Sequence, residues 1–408
     1  MTVPRVLLLT GTPPGYPSAA GHFLRDLCLS YPREKICCFA MVPPNIPSVL
    51  GDLDWLPIAR SLRPRQRGFA VLTPRTVYLS GLLLRQYVKL IQKPALVARV
   101  AQFGSQQGVE LVWAILNDPI LIDIARRVAS KLGARLVSTI WDPPEYLSMN
   151  LGFDRLAQRN LLGEFEKVLL MSDRCGVASE GMAEEYKKRY GVESVVLIHG
   201  VHPKLMKPPT KELTSEKQLT IGFAGALYAG DAWQALLSAL SKVNWQIEGR
   251  NVIVRVLSME LSLRGHDKMH IEYLGWRSVE ETVELMSQVD VTYLPYWFDK
   301  AYGLSVRLCF PNRLATYLAA GRPVLFHGPE DSSPARFLRR FPAGLCCHSL
   351  EEAKIIDSLR RLIIDREFYA LATQACQAAC DQELNLRVFR RRFAALIGIE
   401  EDELLPLT

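Results

Sequence analysis

The 408-residue chain contains a long stretch without acidic residues. Positions 55–109 include neither Asp nor Glu, although the whole chain carries 42 of them. The basic residues in the same stretch are Arg60, Arg63, Arg65, Arg67, Arg75, Arg85, Lys89, Lys93 and Arg99. The formal net charge of +7 is therefore unevenly distributed, and this stretch is its strongest asymmetry.

Cysteine spacings typical of metal sites or disulfide frameworks are also missing. The nine cysteines are odd in number, and no Cys-x-x-Cys occurs among them. This pattern argues against zinc ligation and predicts reduced, mostly buried thiols in a cytosolic compartment. The seven histidines form no metal-binding constellation, so the sequence predicts no metal site.

Membrane-spanning and secretory segments are not evident in the sequence. No stretch reaches the roughly 20 uninterrupted apolar residues of a membrane span. The first ten residues lack a charged region followed by an apolar region and a cleavage site, so we predict no secretory signal. The predicted localisation is cytoplasmic, with peripheral attachment at the inner face of the cell membrane left open.

What the sequence does contain is the pattern of a two-domain α/β protein. Hydrophobic residues make up 49% and charged residues 22%, which is typical of soluble globular proteins. A chain of this length exceeds what one core usually covers. An apolar stretch at 3–10, a glycine-containing loop at 11–21 and a predicted helix at 22–30 form a Rossmann-type opening. The loop lacks Gly-x-Gly-x-x-Gly spacing, so nicotinamide or flavin binding gets little support.

Polar residues follow predicted strands in the first half of the chain. Asn117 and Asp118 come directly after one buried apolar stretch, and Asp142 and Glu145 come after the next. Ligands of open α/β sheets bind at the carboxyl ends of strands, so we expect chemistry near these side chains. Because Asp142 precedes a proline, turn formation is an alternative role for it.

The most informative stretch, 310–324, reads Phe-Pro-Asn-Arg-Leu-Ala-Thr-Tyr-Leu-Ala-Ala-Gly-Arg-Pro-Val. Pro311 suits the first turn of a helix, and Gly321 suits its end. Pro323 prevents continuation, and a short buried strand is predicted to follow. Free N–H groups at the start of such a helix suit a phosphate. A bound anion would also offset the unfavourable position of Arg313 at the positive end of the helix dipole.

This stretch resembles the donor-site segment of glycosyltransferases of the GT-B group, and within it family 4. There the segment often reads Phe-Pro-Asn-Lys-Leu-x-Glu-Tyr-Leu-Ala-Ala-Gly-x-Pro-Val. The resemblance implies an α/β fold of the GT-B type, with two Rossmann-like doubly wound domains facing a central cleft. The implied domains are 1–203 on the acceptor side, 204–375 for the nucleotide-sugar donor, and 376–408, a C-terminal helix crossing back to the first domain.

The resemblance also implies which residues bind the donor. In the family, the loop after the first strand of the second domain reaches the diphosphate, and a later loop holds the base. The donor-binding residues implied here are Gly225, Ala226, Tyr228, Gly275, Trp276, Arg277, Pro311, Asn312, Arg313 and Thr316. The family's ribose-binding glutamate falls on Thr316 and its earlier acidic partner falls near Leu308, so the two-glutamate motif is absent.

Transfer from a nucleotide sugar builds negative charge on the leaving diphosphate, which preorganised donors stabilise. Gly225, Asn312 and Arg313 are the predicted phosphate contacts, and no cofactor is expected besides a UDP- or GDP-linked sugar as substrate. An inverting enzyme also needs a base for the acceptor hydroxyl, whereas a retaining enzyme does not. The candidates for this base are Asp142 first, then His22 and Glu145. The predicted acceptor-side residues are Gly15, Tyr16 and Asp118.

The acid-free stretch predicts an amphipathic helix over 78–91. Arg85, Lys89 and Lys93 recur at four-residue spacing and form a predicted cationic stripe. Such an element favours anionic lipid headgroups, and a solvated basic face is the alternative. A nucleic-acid partner is not predicted, because no aromatic stacking platform or known motif accompanies the charge.

We predict a glycosyltransferase that moves a sugar from a nucleotide donor to a lipid-linked or polysaccharide acceptor. Two alternatives stay open. One is a GT-B-fold sugar-nucleotide hydrolase or epimerase, which would release nucleotide without an acceptor. The other is a non-catalytic homologue acting as a partner subunit, which the missing glutamates motivate.

Overall fold

The computed structural model describes residues 3–42, 51–64, 83–84, 86–258 and 268–406. The chain divides into two compact units. The first consists of Met1–Leu197 together with Arg390–Thr408, and the second of Ile198–Phe389. The sequence placed its domain limits after residues 203 and 375, and those limits stay a prediction.

The first unit is built on a parallel sheet. Its strands are β1 (Val6–Thr10), β2 (Ile36–Val42), β3 (Ile58–Leu62), β4 (Leu111–Ile115), β5 (Arg135–Ile140), β6 (Arg174–Val177) and β7 (Ser194–Val196). Their spatial order is β3-β2-β1-β4-β5-β6-β7. The strands β1, β2 and β4 are buried along their whole length, as expected when helices cover both faces of a parallel sheet.

Helices alternate with these strands. They are α1 (Ala19–Ser30), α2 (Lys93–Gln106), α3 (Pro119–Leu132), α4 (Pro144–Asn150), α5 (Arg155–Met171) and α6 (Glu180–Tyr190). Four of them begin with a side-chain cap. Ser18 accepts from Gly21 N–H before α1, and Asp118 accepts from Ile120 N–H before α3. Because α1 follows β1 and α3 follows β4, both helices start at the carboxyl edge of the sheet.

The C-terminal segment packs into the core of the first unit. Trp113 of β4 is fully buried, and its ring centroid lies 4.8 Å from that of Phe393. The indole N–H of Trp113 donates to Thr139 Oγ1 at 2.9 Å, so this large side chain keeps its polar atom satisfied. Residues 390–406 therefore complete the hydrophobic core around β4.

The second unit repeats the architecture. Its strands are β8 (Gln218–Ala224), β9 (Gln246–Ile247), β10 (Arg250–Leu257), β11 (Ile271–Tyr273), β12 (Val291–Pro295), β13 (Val324–His327) and β14 (Gly344–Cys347). The order is β11-β10-β8-β12-β13-β14, all parallel, with the short β9 pairing antiparallel to β10. Its helices are α7 (Gly230–Lys242), α8 (Val279–Ser287), α9 (Gly303–Leu308), α10 (Arg313–Ala319), α11 (Ser333–Arg340), α12 (Glu352–Ile364) and α13 (Arg366–Gln382). A last helix, α14 (Leu386–Ile397), runs from this unit into the segment counted with the first.

The core of the second unit is aromatic around its first strand. Phe223, Trp233 and Tyr293 are fully buried. The ring centroid of Trp233 lies 5.1 Å from that of Phe223 and 5.8 Å from that of Tyr293. Truncating one such side chain to Ala costs about 3–5 kcal/mol in typical cores. This core fixes β8 against α7 and β12, which are the elements that carry the candidate site.

The informative stretch 310–324 folds nearly as expected. Leu314, Tyr317 and Leu318 are buried, and Gly321 ends the helix at φ +68°. The helix starts later than predicted, because Asn312 is its N-cap residue and Pro311 precedes it. The Leu314 N–H donates to the Pro311 carbonyl at 2.9 Å, a tight i to i+3 bond that makes the first turn 3₁₀-like.

Three local predictions differ from the structure. Strand β3 was not predicted: it lies at the sheet edge and is only partly buried, so its hydrophobic signal is weak. The sequence over 367–396 predicts a single helix, but the structure has two, α13 and α14, separated by residues 383–385. Residues 78–82 and 85 of the helix predicted over 78–91 lie outside the described residues, and Val88–Gln92 form a π-helical turn before α2.

A search of the described residues for a helix long and apolar enough to cross a membrane finds none.

Candidate donor site

The carboxyl edge of the second sheet has a switch in strand order at β8. The chain proceeds from β8 to β10 and β11 on one side and to β12, β13 and β14 on the other. Loops that leave β8 and β12 therefore diverge to opposite faces, and the gap between them is the usual ligand position in open α/β sheets. Helix α10 starts at the same edge, because it runs down toward the amino end of β13.

Gly225 opens the loop after β8. Its φ is +90°, in the left-handed region that favours glycine, and its N–H donates to the Leu257 carbonyl at 3.0 Å. A Cβ added here would lie 3.5 Å from the guanidinium carbon of Arg313. The positive φ is therefore what requires glycine here, since a Cβ would make only ordinary contact with Arg313.

Arg313 is held at the switch by the loop that it covers. Its Nη2 donates to the Ala226 carbonyl, and its guanidinium carbon lies 4.7 Å from the ring centroid of Tyr228 and 5.0 Å from that of Phe223. Such cation–π contacts attract the cation without neutralising its charge. Among the described residues, no carboxylate pairs with Arg313, and its buried Nη1 has no hydrogen-bond partner.

Backbone donors surround the same guanidinium. In the described part of the chain, the N–H groups of Ala226, Leu227, Asn312 and Arg313 have no acceptor. The first two belong to the loop after β8, and the last two stand at the start of α10, where N–H groups are left unpaired by helix geometry. Together with Arg313 Nη1 they present positive partial charge to the switch point, which suits an anion.

Tyr317 couples α10 to β8. Its hydroxyl accepts from Ala224 N–H at 2.8 Å and lies 3.4 Å from the Ala224 carbonyl. Complete burial raises the pKa of Tyr317 to about 12, and the nearby charge of Arg313 lowers it in part. The phenol therefore stays neutral at physiological pH and fixes the helix that carries Arg313.

An aromatic wall that the sequence analysis missed lies beside this cation. The Trp297 ring centroid is 4.4 Å from that of Tyr228 and 5.1 Å from that of Tyr302, nearly parallel to the latter at 11°. Asp231 ties the wall in place, since its two carboxylate oxygens accept from Ala232 N–H and Phe298 N–H, each at 2.9 Å. The available signal in the sequence was the aromatic run Tyr-Trp-Phe at 296–298, immediately after the stretch that forms β12.

Other predicted donor residues lie at the same edge but farther away. Gly275 (φ +73°), Trp276 and Arg277 follow β11, two strands from β8, and Trp276 is 56% exposed. Arg277 Nη1 donates to the Trp276 carbonyl at 3.0 Å. Thr316 is partly buried on α10, three residues after Arg313.

The first unit has an equivalent switch between β1 and β4. The loop after β1 is folded on itself: Gly15 (φ +79°) donates to the Gly21 carbonyl at 2.9 Å, and Tyr16 donates to the Pro13 carbonyl at 3.2 Å. A Cβ on Gly21 would lie 2.0 Å from the Tyr16 carbonyl oxygen, so only glycine fits. Of the predicted acceptor-side residues, Asp118 is buried as the cap of α3, while Gly15 and Tyr16 shape the neighbouring loop.

The three base candidates occupy the same edge of the first unit. His22 lies in the first turn of α1, and Asp142 follows β5 directly; both side chains are partly buried. Glu145, in the first turn of α4, accepts a charged hydrogen bond from Arg189 at 2.6 Å.

Two members of the predicted cationic stripe lie in the described part of the chain, and Arg85 lies outside it. Lys89 is exposed, whereas Lys93 pairs with Asp123 of α3 and keeps only 16% of its side chain exposed. The stripe as a whole stays a prediction.

Comparisons with known proteins place this fold. No family model matches the chain, and no curated protein matches it in sequence. HepE from Anabaena, solved in complex with UDP, has a TM-score of 0.66 at 15% identity, over 97% of this chain and 99% of that chain. Sucrose-phosphate synthase from Thermosynechococcus elongatus has a TM-score of 0.67 at 11% identity, over 97% and 98%. WaaG, a glycosyltransferase involved in lipopolysaccharide biosynthesis, has a TM-score of 0.55 at 12% identity, over 97% and 99%.

The chain therefore has the GT-B fold, with two Rossmann-like units of parallel sheet. The predicted fold class and the resemblance to the GT-B group are confirmed. At these identities the likeness carries the fold alone, and assignment to family 4 stays a prediction.

Proposed function

We propose that the chain is a glycosyltransferase that moves a sugar from a nucleotide-diphosphate donor to a hydroxyl of a lipid-linked or polysaccharide acceptor. Arg313 carries the proposal. It is the cation at the switch point of the second unit, with a buried Nη1 that lacks a partner among the described residues. Structures of similar fold include HepE with UDP-glucose and a UDP-forming trehalose-phosphate synthase, which favours a UDP-linked donor here.

The proposed step breaks the bond between the anomeric carbon and the diphosphate oxygen. The bonding electrons go to the leaving diphosphate, and the acceptor oxygen bonds to the anomeric carbon. Arg313 and the unpaired N–H groups of Ala226, Leu227 and Asn312 would stabilise the charge that grows on the diphosphate, without a metal ion. The acceptor proton would go to Asp142, or to His22, if the transfer inverts the anomeric centre.

The rest of the donor would lie along the sheet edge. Gly275, Trp276 and Arg277 are two strand spacings from β8, which is about 10 Å. A nucleoside diphosphate can span that distance, with its diphosphate at Arg313 and its base near Trp276. Thr316, on α10, would then be the side chain on the path of the ribose.

Calorimetry with UDP, GDP and their glucose conjugates on the intact chain tests the proposal. Arg313→Ala is expected to weaken binding of the preferred nucleotide about a hundredfold, because loss of one preorganised donor costs about 3 kcal/mol. Arg313→Lys is expected to recover part of that loss, because lysine keeps the positive charge but lacks the planar guanidinium with its five N–H donors. Arg307→Ala is the matched control, an exposed arginine on α9 six positions earlier.

Equal nucleotide affinity of the Arg313→Ala and parent proteins, with unchanged melting temperature, would refute the site. The same samples separate the alternatives. Nucleotide release without any acceptor would indicate a hydrolase or epimerase. No affinity for any nucleotide sugar at millimolar concentration would indicate a non-catalytic homologue, which the Thr316 and Leu308 replacements motivate.

Peripheral attachment to an anionic membrane is part of the proposal. Leu83, Leu90 and Ile91 are 73%, 67% and 56% exposed, next to the exposed Lys89 and within the acid-free stretch. Apolar side chains rimmed by cations are what monotopic proteins present to lipid. The double variant Leu90→Ser/Ile91→Ser should sediment less with phosphatidylglycerol vesicles, and Leu371→Ser, 56% exposed on α13, should not. Equal sedimentation of both variants would leave this surface without a lipid role.

A further inference from the structure

Arg63 reaches the switch point of the first unit from the end of strand β3. Its Nη2 donates to the Gly11 carbonyl at 3.2 Å, and its Nε lies 3.2 Å from Asp118 Oδ2. Gly11 follows β1 and Asp118 follows β4, so the guanidinium bridges the two strands where the sheet order reverses. About 39% of the Arg63 side chain stays exposed, whereas Asp118 is buried.

The described contacts of Arg63 engage only some of the N–H groups of its guanidinium. A guanidinium has five N–H groups in a planar arrangement, and the described contacts engage one on Nε and one on Nη2. The remaining donors belong to the exposed part of the group. An arginine fixed on one side by a buried carboxylate is preorganised to bind a second oxyanion on the other.

Two polar atoms at the same edge are buried without a partner in the described part of the chain. Asn117 Oδ1, an acceptor, follows β4, and Trp141 Nε1, a donor, follows the adjacent β5. A Cβ on Gly11 would lie 3.1 Å from Arg63 Nη2 and 3.4 Å from Asn117 Oδ1, so these two groups flank the same small space. Buried polar atoms normally form hydrogen bonds with protein, water or ligand, so Asn117 Oδ1 and Trp141 Nε1 are suited to hydrogen-bond a ligand.

The charges at this edge are close to balanced. Arg63 contributes one positive charge, and Asp118 and Asp142 contribute one negative charge each, while Glu145 is paired with Arg189. The N-termini of α1 and α3 both open onto this edge, and each adds about half a positive charge. Binding of an anion here therefore depends on the oriented N–H groups of Arg63 rather than on excess positive charge.

We propose that the carboxyl edge of the first sheet binds a small hydroxylated anion, a sugar phosphate or a sugar carboxylate. Arg63 binds the anionic group, Asn117 Oδ1 accepts from a ligand hydroxyl, and Trp141 N–H donates to a ligand oxygen. If the chain transfers sugars, this ligand is the anionic portion of the acceptor. That last assignment rests on the proposed function, while the binding site itself does not.

Calorimetry on the intact chain with glucose 6-phosphate, glucuronate and glucose tests the site. Either or both charged sugars should bind at least tenfold more tightly than glucose, and the one that binds more tightly identifies the anionic group. Arg63→Gln should reduce binding of that charged sugar to the level of glucose, and Arg63→Lys should recover part of it. Asn117→Ala should weaken all sugars by a similar factor, because its contact is to a hydroxyl that they share.

Arg135→Gln is the matched control. Arg135 is also an ion-paired arginine of the first unit, bound to Asp173 at 2.6 Å, but it lies at the amino end of β5, on the opposite edge of the sheet. It should leave sugar-phosphate affinity unchanged. Arg313→Ala should also leave sugar-phosphate affinity unchanged. Nucleotide affinity therefore tests the donor site, and sugar-phosphate affinity tests this site separately.

Three outcomes would overturn the inference. Glucose could bind as tightly as both charged sugars, Arg63→Gln could bind them like the parent, or Arg135→Gln could lose as much affinity as Arg63→Gln. Melting curves of each variant identify any loss that comes from unfolding, and the Arg63→Lys protein supplies the test if the glutamine variant does not fold.

Discussion

The two units place an arginine at the same topological position but treat its charge differently. In the first, Arg63 bridges to the buried carboxylate of Asp118. In the second, Arg313 lies over the rings of Tyr228 and Phe223, and no described carboxylate pairs with it. A repeated fold thus gives a repeated location, and the side chain opposite the cation decides how strongly an anion is attracted.

This difference explains why the two sites suit different ligands. An uncompensated guanidinium amid unpaired N–H groups favours a diphosphate that gains charge during a reaction. A guanidinium already paired with Asp118 retains orientation and hydrogen-bonding capacity but less net charge, which favours a small anion that is held without being activated. Three experiments test the comparison.

The largest expected effect comes from replacing one glycine by alanine in the loop after β8 and comparing it with the same change in the loop after β1. Gly225→Ala forces a left-handed conformation on a residue with a Cβ, which costs about 1–3 kcal/mol in the loop that holds Arg313. UDP affinity should fall about tenfold or more. Gly11→Ala meets the end of the flexible Arg63 side chain, so the free energy of unfolding should change by about 0.5 kcal/mol or less. If Gly225→Ala and Gly11→Ala lost similar UDP affinity in calorimetry and similar stability in thermal melts, the proposed difference between the two units would be refuted.

A buried histidine makes the second unit sensitive to acid. Burial lowers the pKa of His327, while hydrogen bonding to Ser349 and the charge of Asp231 act in the opposite direction and His348 adds to the lowering. His327 is therefore neutral in the fold. Below its ordinary pKa of about 6.5 the unfolded chain binds the proton more readily.

The free energy of unfolding should consequently fall as the pH drops from about 7 toward 5, by at most about 1.4 kcal/mol per pH unit for one proton. The His327→Asn protein should show a shallower slope in urea titrations across this window, whatever its absolute stability. Identical slopes for parent and His327→Asn would exclude His327 as the source.

The smallest expected effect comes from making the first site resemble the second. Asp118→Asn removes the charge opposite Arg63, while Asn caps a helix about as well as Asp and should preserve α3. Glucose 6-phosphate should bind about fivefold more tightly, a gain of about 1 kcal/mol. Asp173→Asn, which frees Arg135 at the other edge, should not change that affinity. A loss of affinity in Asp118→Asn would show that orientation of Arg63 matters more than its compensation.

How far sequence reasoning reaches is clear from particular residues. The approximate course of α10, its buried face and its terminal glycine followed from local spacing, because helix periodicity and glycine and proline signals act within a few residues. Arg63 was identified only as one of the basic residues of the acid-free stretch, because β3 is an edge strand with a weak apolar signal. The roles of Asp231 and Trp297 were missed because they depend on contacts between loops about 70 residues apart.

By itself, the sequence determined that two successions of buried strands and helices form, since each element's apolar pattern must be covered by the next. It also determined that a cation stands at the start of the short helix after residue 312. Only the tertiary structure decided that this cation lies over aromatic rings with a donor atom unpaired, while Arg63 is paired with a buried carboxylate. The reason is physical: the charge that a guanidinium presents depends on its neighbours in space, and strands far apart in the chain supply them.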